Sequence, residues 1–558
     1  MLVCTLMTSI FIFTTSVEIT EPVDGETYNG DWLTVRAVVE NENEIPDSVH
    51  YTLNGEAAIQ IPRLNTDWYT YMQNDLHHGF SESPAPHEPT VLWAAPVCGT
   101  FHEFCSPVIV DDMLYFGSLG DTTLYALDPA TGVEIWNYKL LGWVDDAVTV
   151  KENRVYVTAD SIWCLNACTG ERCWAFAEEG ANGMSGTSPV VTEDYVYAVS
   201  TVYPGSYALH ALNPETGLEN WRVEYPNTMI SCITYYENAI YIPTWDGPLY
   251  ALDASNGDLL WTNTDSEDGY WDSSPTVYDG SIFITSIGTL RINASTGVTE
   301  WISDIGYGES TPAVHDGVVF TSGYDGYFMV CALDAATGDS IWTFPVEYLH
   351  GSIGVADGLV FFGDNLTGEI YALDEQTGAE VWSYSTVPGT YGIGSSPSIT
   401  DGVMYLACTD GYLYAFGTGL KYSFRDNLFA ETGANELIAA SFYGGAAVAA
   451  DTINFTVTGT GMNLNPSPLP GLCTKPNPFH AFTTISFELS EPGYTTLKVF
   501  NLSGRLVSSI TESELGSGQY SYTWDGSNQN GESVSAGLYF CRIQSGGVSE
   551  TTGLCLLR

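Results

Sequence analysis

An all-β protein is predicted, on three observations. Aromatic residues are abundant, with 35 Tyr, 23 Phe and 15 Trp, and such side chains suit a pleated, half-buried surface. Glycine is frequent, at 56 residues, as short strands joined by tight turns require. A unit of about forty residues recurs through the middle of the chain, the period of a repeat architecture. At 44% hydrophobic residues, the 558-residue chain has material for more than one core.

The repeat is clearest at Tyr125-Ala126-Leu127-Asp128, Thr131-Gly132 and Trp136. It returns at Tyr250-Ala251-Leu252-Asp253, Gly257 and Trp261, and again at Tyr371-Ala372-Leu373-Asp374, Thr377-Gly378 and Trp382. Weaker copies end at Trp174, Trp221, Trp301 and Trp342. Each copy reads as four short strands. In the first, these are Pro107 to Val110, Met113 to Phe116, Leu124 to Leu127 and Val133 to Tyr138. The Thr-Gly step supplies a turn that tolerates positive φ. A second marker keeps the phase, from Pro107/Tyr115 and Val148/Tyr156 through to Ile353/Phe361 and Pro397/Tyr405, and it gives eight units. Trp93 has no unit before it, and Tyr414-Ala415-Phe416 has no Trp after it. Together they make one unit, so the predicted fold is an eight-bladed β-propeller closed by pairing its first strand with its last, which leaves no open edge.

The Ala-x-Asp-x-x-Thr-Gly-x-x-x-Trp pattern resembles the tryptophan-docking repeat of the PQQ-like propeller family. The lead-in Trp68-Tyr69-Thr70, Asp75 and His77-His78-Gly79 resembles the segment that precedes such propellers. The tail opens Pro476-Asn477-Pro478-Phe479 and continues through Trp524-Asp525-Gly526 to Ala536-Gly537-Leu538-Tyr539-Phe540. It resembles the C-terminal sorting domain of type IX secretion cargo, with a FlgD-like immunoglobulin fold. Ig-like β-sandwich domains are therefore expected to flank the propeller. The expected order is a signal peptide at 1–16, the first half of an Ig-like domain at 17–62, the propeller at 63–419 and the second half of the Ig-like domain at 420–458. A linker at 459–474 and the sorting domain at 475–558 complete the chain.

Charge excludes some partners. There are 15 Lys and Arg against 68 Asp and Glu, a formal net charge of −53. A phosphate backbone is repelled by such a surface, so no nucleic-acid partner is expected. No stretch is long and apolar enough for a transmembrane helix. The apolar run from Leu2 to Phe13 fits a secretory signal, and the expected location is secreted or on the outer cell surface. The twelve Cys are scattered, with no adjacent pair and no Cys-x-x-Cys-His haem motif. Cys164, Cys168 and Cys173, or Cys98 and Cys105, are close enough to hold a disulfide or to stand as free thiols.

The resemblance implies, for its enzyme members, PQQ, a calcium ion held by acidic and amide side chains, a catalytic Asp and often an adjacent Cys pair. Without the Cys pair and the haem motif, the expectation is a binding or scaffold protein, with no enzymatic activity, no catalytic residue and no cofactor. The alternatives are a PQQ- and calcium-dependent dehydrogenase and an outer-membrane assembly scaffold. No Gly-x-Ser-x-Gly or His-Glu-x-x-His run supports a hydrolase. The loops entering each unit carry aromatic rings and carboxylates. His102, Glu103, Trp143, Asp145, Asp146, Trp271, Asp272, Tyr307, Glu309, His350 and Tyr391 are the candidate ligand-binding residues, suited to a protein, a glycan or a cation. No metal is assigned to them. The expected partners are such a ligand and, through the tail, the secretion machinery.

Overall fold

The computed structural model describes residues 16–21, 27–29, 32–41, 48–53, 59–61, 66–96, 106–118, 120–144, 147–177, 181–184, 187–202, 206–225, 231–245, 247–266, 269–270, 272–386, 392–429, 433–443, 446–458, 473–475, 482–489, 492–501, 506–529, 534, 537–545 and 548–556. They form mainly antiparallel sheets with no helix among them, in two compact units, 1–458 and 459–558.

Four-stranded units dominate the first part. In the first of them Val108–Val110, Met113–Ser118, Thr123–Leu127 and Glu134–Lys139 pair in sequence order. Seven more units of this order follow among the described residues; the third carries a fifth strand, the fifth and sixth join edge to edge at Gly306 and Tyr324, the seventh takes in Phe80–Ser81, and the last, Ser398–Thr400, Val403–Cys408 and Tyr412–Phe416, takes its fourth strand from Val91–Pro96. Trp93 lies opposite Ala415 in that pairing. Burial falls from the first strand outward: Val108–Val110 is wholly buried, whereas Glu134–Lys139 exposes alternate residues. First strands of neighbouring units lie against one another, and Ser398–Thr400 returns to Val108–Val110. The short first strands therefore sit innermost.

Two sets of contacts join consecutive units. The outer one is the tryptophan. Trp136, Trp174, Trp261, Trp301 and Trp342 each lie over the positive-φ glycine of the next unit's turn, at Gly170, Gly217, Gly297, Gly338 and Gly378. Several donate the indole N–H to a carbonyl in the same turn, as Trp261 does to Ala294 at 3.0 Å. Trp382 has no such turn ahead of it, because the final unit is split, and it donates to Pro86 of the lead-in at 2.9 Å instead.

The inner set is a run of hydroxyls. The Ser396 N–H donates to the Ser106 Oγ, the Ser352 N–H to the Ser396 Oγ and the Thr311 N–H to the Ser352 Oγ, each at 3.0 Å. The run continues from the Ser274 N–H to the Thr311 Oγ1 and from the Cys232 N–H to the Ser274 Oγ, both at 2.9 Å. Each buried amide next to the axis is thus satisfied by its neighbour's side chain. In the second unit the same position is Ala147, which has no side-chain acceptor.

The lead-in segment, residues 66–81, crosses the far ends of the innermost strands as a strap. The Tyr69 carbonyl accepts from the Val150 N–H, Leu76 from Val277, His78 from Val314 and Gly79 from Val355. Trp68 exchanges both backbone bonds with Ile109. His77 is buried, with Nδ1 3.1 Å from the Pro275 carbonyl.

Segments on either side of these units share two further sheets. Trp32–Asn41 pairs with Leu420–Phe429, and Ser48–Leu53 pairs with Gly433–Tyr443. The second compact unit holds a three-stranded and a four-stranded sheet around buried Phe487, Leu497, Trp524 and Ile543. Cys164, Cys168 and Cys173 are free thiols, not a disulfide, while Cys98 and Cys105 lie outside the described residues.

Two outcomes follow. Gly280 and Gly297 have the same φ of +71°, but a Cβ at Gly280 meets open space, whereas one at Gly297 lies 2.5 Å from Trp261. Gly280→Ala should cost roughly 1–2 kcal/mol for the backbone alone. Gly297→Ala should cost about 1–3 kcal/mol more. Equal losses in denaturant titrations would remove the tryptophan from the account. Burial, together with the charge of His78, outweighs the Pro275 hydrogen bond and pushes His77 down from 6.5 to about 4. A lowered imidazole value means that the unfolded chain takes up the proton first. Stability from neutral His77 is complete above pH 6.5 and is lost as pH falls toward 4, by roughly 3 kcal/mol. The stability gap between the native chain and His77→Asn should narrow over that window. A constant gap refutes this.

Candidate active site

Asp272, Glu309 and His350 each stand four residues before an innermost strand, those being Thr276–Tyr278, Ala313–His315 and Gly354–Ala356. One phase in three consecutive units carries the three side chains to the same end of the axis. The His350 Nε2 lies 3.3 Å from the Asp272 Oδ2 and 3.9 Å from the Glu309 Oε2. One ligand atom from each of the three lies within 4.8 Å of the others. His350 and Glu309 are nearly buried, with side chains 10% and 12% exposed, and Asp272 is more open at 28%.

The loops hold this geometry by close backbone packing. A Cβ on Gly308 would collide with the Ser322 carbonyl oxygen, so only glycine lets the Glu309 loop lie so near. The Glu309 and Ser310 amides both donate to the Ser322 Oγ at 3.1 Å. Two tyrosines hold the Glu309 carboxylate: Tyr307 donates to Oε1 and Tyr348 to Oε2. Burial, and then the adjacent Glu309, push both phenols well above their ordinary value. They therefore remain donors at neutral pH, and Glu309 keeps both hydrogen bonds.

Two carboxylates and an imidazole are a divalent-cation donor set. Calcium takes oxygen ligands, and the imidazole shifts preference toward manganese, iron or zinc. Elsewhere, Ser200, His210 and Glu219 form a hydrogen-bonded row with two links of 2.7 Å. Ser200 and His210 are wholly buried, so no substrate reaches that serine and the row serves packing.

Of the residues singled out from sequence, Asp272, Tyr307, Glu309 and His350 lie together. Trp143 stands 68% exposed on the loop before the second unit. His102, Glu103, Asp145, Asp146, Trp271 and Tyr391 lie outside the described residues. Tyr348, from the same set of loops, joins them at Glu309. Its signal was present as Tyr307-x-Glu309 and Tyr348-x-His350, an aromatic two residues before the ligand at the same phase.

Relatives bear on what this centre does. The chain is 26% identical over 349 residues to polyvinylalcohol dehydrogenase of Sphingopyxis sp. (strain 113P3), covering 49% of this chain and 50% of that protein. It thus spans about half the length of that relative. It is 25% identical over 413 residues to tetrathionate hydrolase of Acidithiobacillus ferrooxidans, covering 64% and 74% of the two chains. The solved quinohemoprotein alcohol dehydrogenase from Comamonas testosteroni superposes with a TM-score of 0.54 at 16% identity, over 66% of this chain and 82% of that one, and so shares the β-propeller fold. A model of the FlgD Ig-like domain matches residues 479–547.

These findings overturn two expectations drawn from sequence, that the chain is not an enzyme and that it has no cofactor. The two relatives just described are enzymes, and the solved structure is of a quinohemoprotein. The expectations failed for a physical reason. A contiguous Cys pair or haem motif reports one form of cofactor pocket, whereas a repeat array delivers its ligands one per unit, some forty residues apart, where no local pattern shows them. The family model described as outer membrane protein assembly factor BamB matches residues 86–205, 164–384 and 329–421, more than half of the length, and the chain belongs to that PQQ-repeat family.

Proposed function

We propose that the protein is a cation-dependent enzyme of the quinoprotein dehydrogenase type, oxidising an alcohol at the end of the propeller where Asp272, Glu309 and His350 meet. The observation that carries the centre is the convergence of three ligand atoms within 4.8 Å from three successive units. The reaction class is supported by the dehydrogenase relative. Asp272, Glu309 and His350 would hold the cation. Among the described residues the ionic partner of both carboxylates is His350, so an anionic quinone fits here through a cation that offsets the acids. When bound, the quinone supplies the acceptor for the two electrons of an alcohol. The protein's own part is to fix the ligands. Tyr307 and Tyr348 orient Glu309, and the nearly buried His350 keeps water away from one side of the centre.

The wider assembly is proposed with it. The eight four-stranded units are the blades of one closed ring, supported by the run of hydroxyls that returns from Ser396 to Ser106. The segments 17–62 and 420–458 are the two halves of one Ig-like domain that hosts the propeller, supported by their shared sheets. The tail is a sorting domain for export to the outer surface, supported by the FlgD-like match. A protein partner is a second reading, favoured by exposed Leu141 and Trp143 on one loop.

The test is calorimetry of the full chain with Mn²⁺, Zn²⁺ and Ca²⁺, beside dye-linked oxidation of a polymeric and a primary alcohol after addition of PQQ and the cation. The expected result is binding that falls roughly 10–100-fold in Asp272→Asn and in His350→Ala, and by a lesser factor in Tyr348→Phe. Cation-dependent dye reduction should disappear with Asp272→Asn. Equal cation affinity in all variants would refute the centre. Cation binding without any dye reduction would refute the dehydrogenase assignment alone.

A further inference from the structure

The strap leaves one opening. It bonds to the innermost strands of the first, second, fifth, sixth and seventh units, through Ile109, Val150, Val277, Val314 and Val355. Between its contacts at Tyr69 and Leu76, a pocket of about 340 Å³ lies against the third and fourth units, lined among others by Asp75, Lys151, Glu193, Asp194, Tyr195 and Tyr235. It is separate from the centre described above. Asp272, Glu309 and His350 precede their innermost strands, whereas Glu193, Asp194 and Tyr195 follow one, Val190–Val191. The two places are at opposite ends of the ring of strands.

The lining has a definite chemistry. Asp75 belongs to the strap and lines the pocket half-buried, and its Oδ1 is buried without a hydrogen-bond partner. An unpaired buried carboxylate oxygen is costly and calls for a donor. Among the described residues no ion pair joins Lys151 to Asp75, and the Lys151 Nζ donates to the Val191 carbonyl at 2.7 Å. The three carboxylates of the lining outnumber its one ammonium. Three tyrosines share the lining with Thr192, Asn238 and Ser255: Tyr195 and Tyr235 flank Tyr197 at centroid distances of 5.7 and 6.4 Å. Acidic groups beside tyrosine faces attract an organic cation twice over, by charge and by the ring quadrupole. The volume is that of a small-molecule site. Burial raises the Asp75 carboxyl above its ordinary range, with the Lys151 charge and then a hydrogen bond from Tyr69 opposing the rise.

We propose that this end of the propeller carries a second binding site, for a small primary amine whose ammonium group meets Asp75 and whose carbon frame lies against Tyr195 and Tyr235. The site does not depend on the cation centre or on the dehydrogenase assignment.

The experiment is calorimetric titration of the full chain with phenethylamine and, in parallel, with 2-phenylethanol, its neutral analogue of like size. The amine should bind and the alcohol should bind far more weakly. Asp75→Asn should weaken the amine roughly 10–100-fold, the loss of one charged hydrogen bond. Asp272→Asn should leave amine binding unchanged, which separates this site from the other end. If Asp75→Asn melts well below the native chain, the exposed pair Glu193→Gln and Asp194→Asn replaces it, with a severalfold loss expected. No heat with the amine, equal heats for amine and alcohol, or unchanged affinity in the acid variants would each overturn the site.

Discussion

The tryptophan that lies on its neighbour's glycine is the constraint on which the array depends. Each four-stranded unit is too small to bury both of its faces alone. The indole covers one face at the outer strand, and its approach is possible because the glycine beneath it has no side chain and adopts a conformation that other residues avoid. The spacing of Thr-Gly to Trp is therefore a statement about distance between units as much as about turns. At the axis the hydroxyl run does complementary work. It satisfies amides that no sheet can reach, since the innermost strands meet side by side and not by strand pairing. Apolar contact sets the outer spacing and hydrogen bonding sets the inner one.

Much of the fold was legible because it depends on local signals repeated in phase. Tyr-Ala-Leu-Asp followed by Thr-Gly and Trp marks third strand, turn and fourth strand, and the pairing of the Trp93 strand with that of Tyr414 follows from counting what is left over at the ends. The strap was less legible. Its residues carry no period, and its partners at Val277, Val314 and Val355 lie some two hundred residues or more away. Nothing in Leu76-His77-His78-Gly79 by itself states that consecutive carbonyls will be shared among consecutive units.

The site was legible as composition and not as chemistry. Asp272, Glu309 and His350 drew attention as polar residues in loops before first strands. Their joint use depends on which loops are adjacent in space, and that is a property of how neighbouring units pack. A reading organised around contiguous motifs gave undue weight to the missing Cys pair. The more telling quantity was the phase: an aromatic, one residue, then a ligand, repeated at the same offset from Pro275, Pro312 and Ile353. Ser200, His210 and Glu219 show the converse, a row with the geometry of a reactive triad and no route for a substrate.

The strap and the acid–imidazole cluster share their supports. Leu76, His78 and Gly79 bond to Val277, Val314 and Val355, the middle residues of the three short strands that begin just after Asp272, Glu309 and His350. Three residues span roughly 10 Å, and a strand of that length behaves as a stiff rod. A substitution in any of these strands therefore bears on the strap at one end and on a ligand loop at the other. The segment at the base is thereby tied, through three residues of backbone in each of three units, to the loops that gather at the mouth.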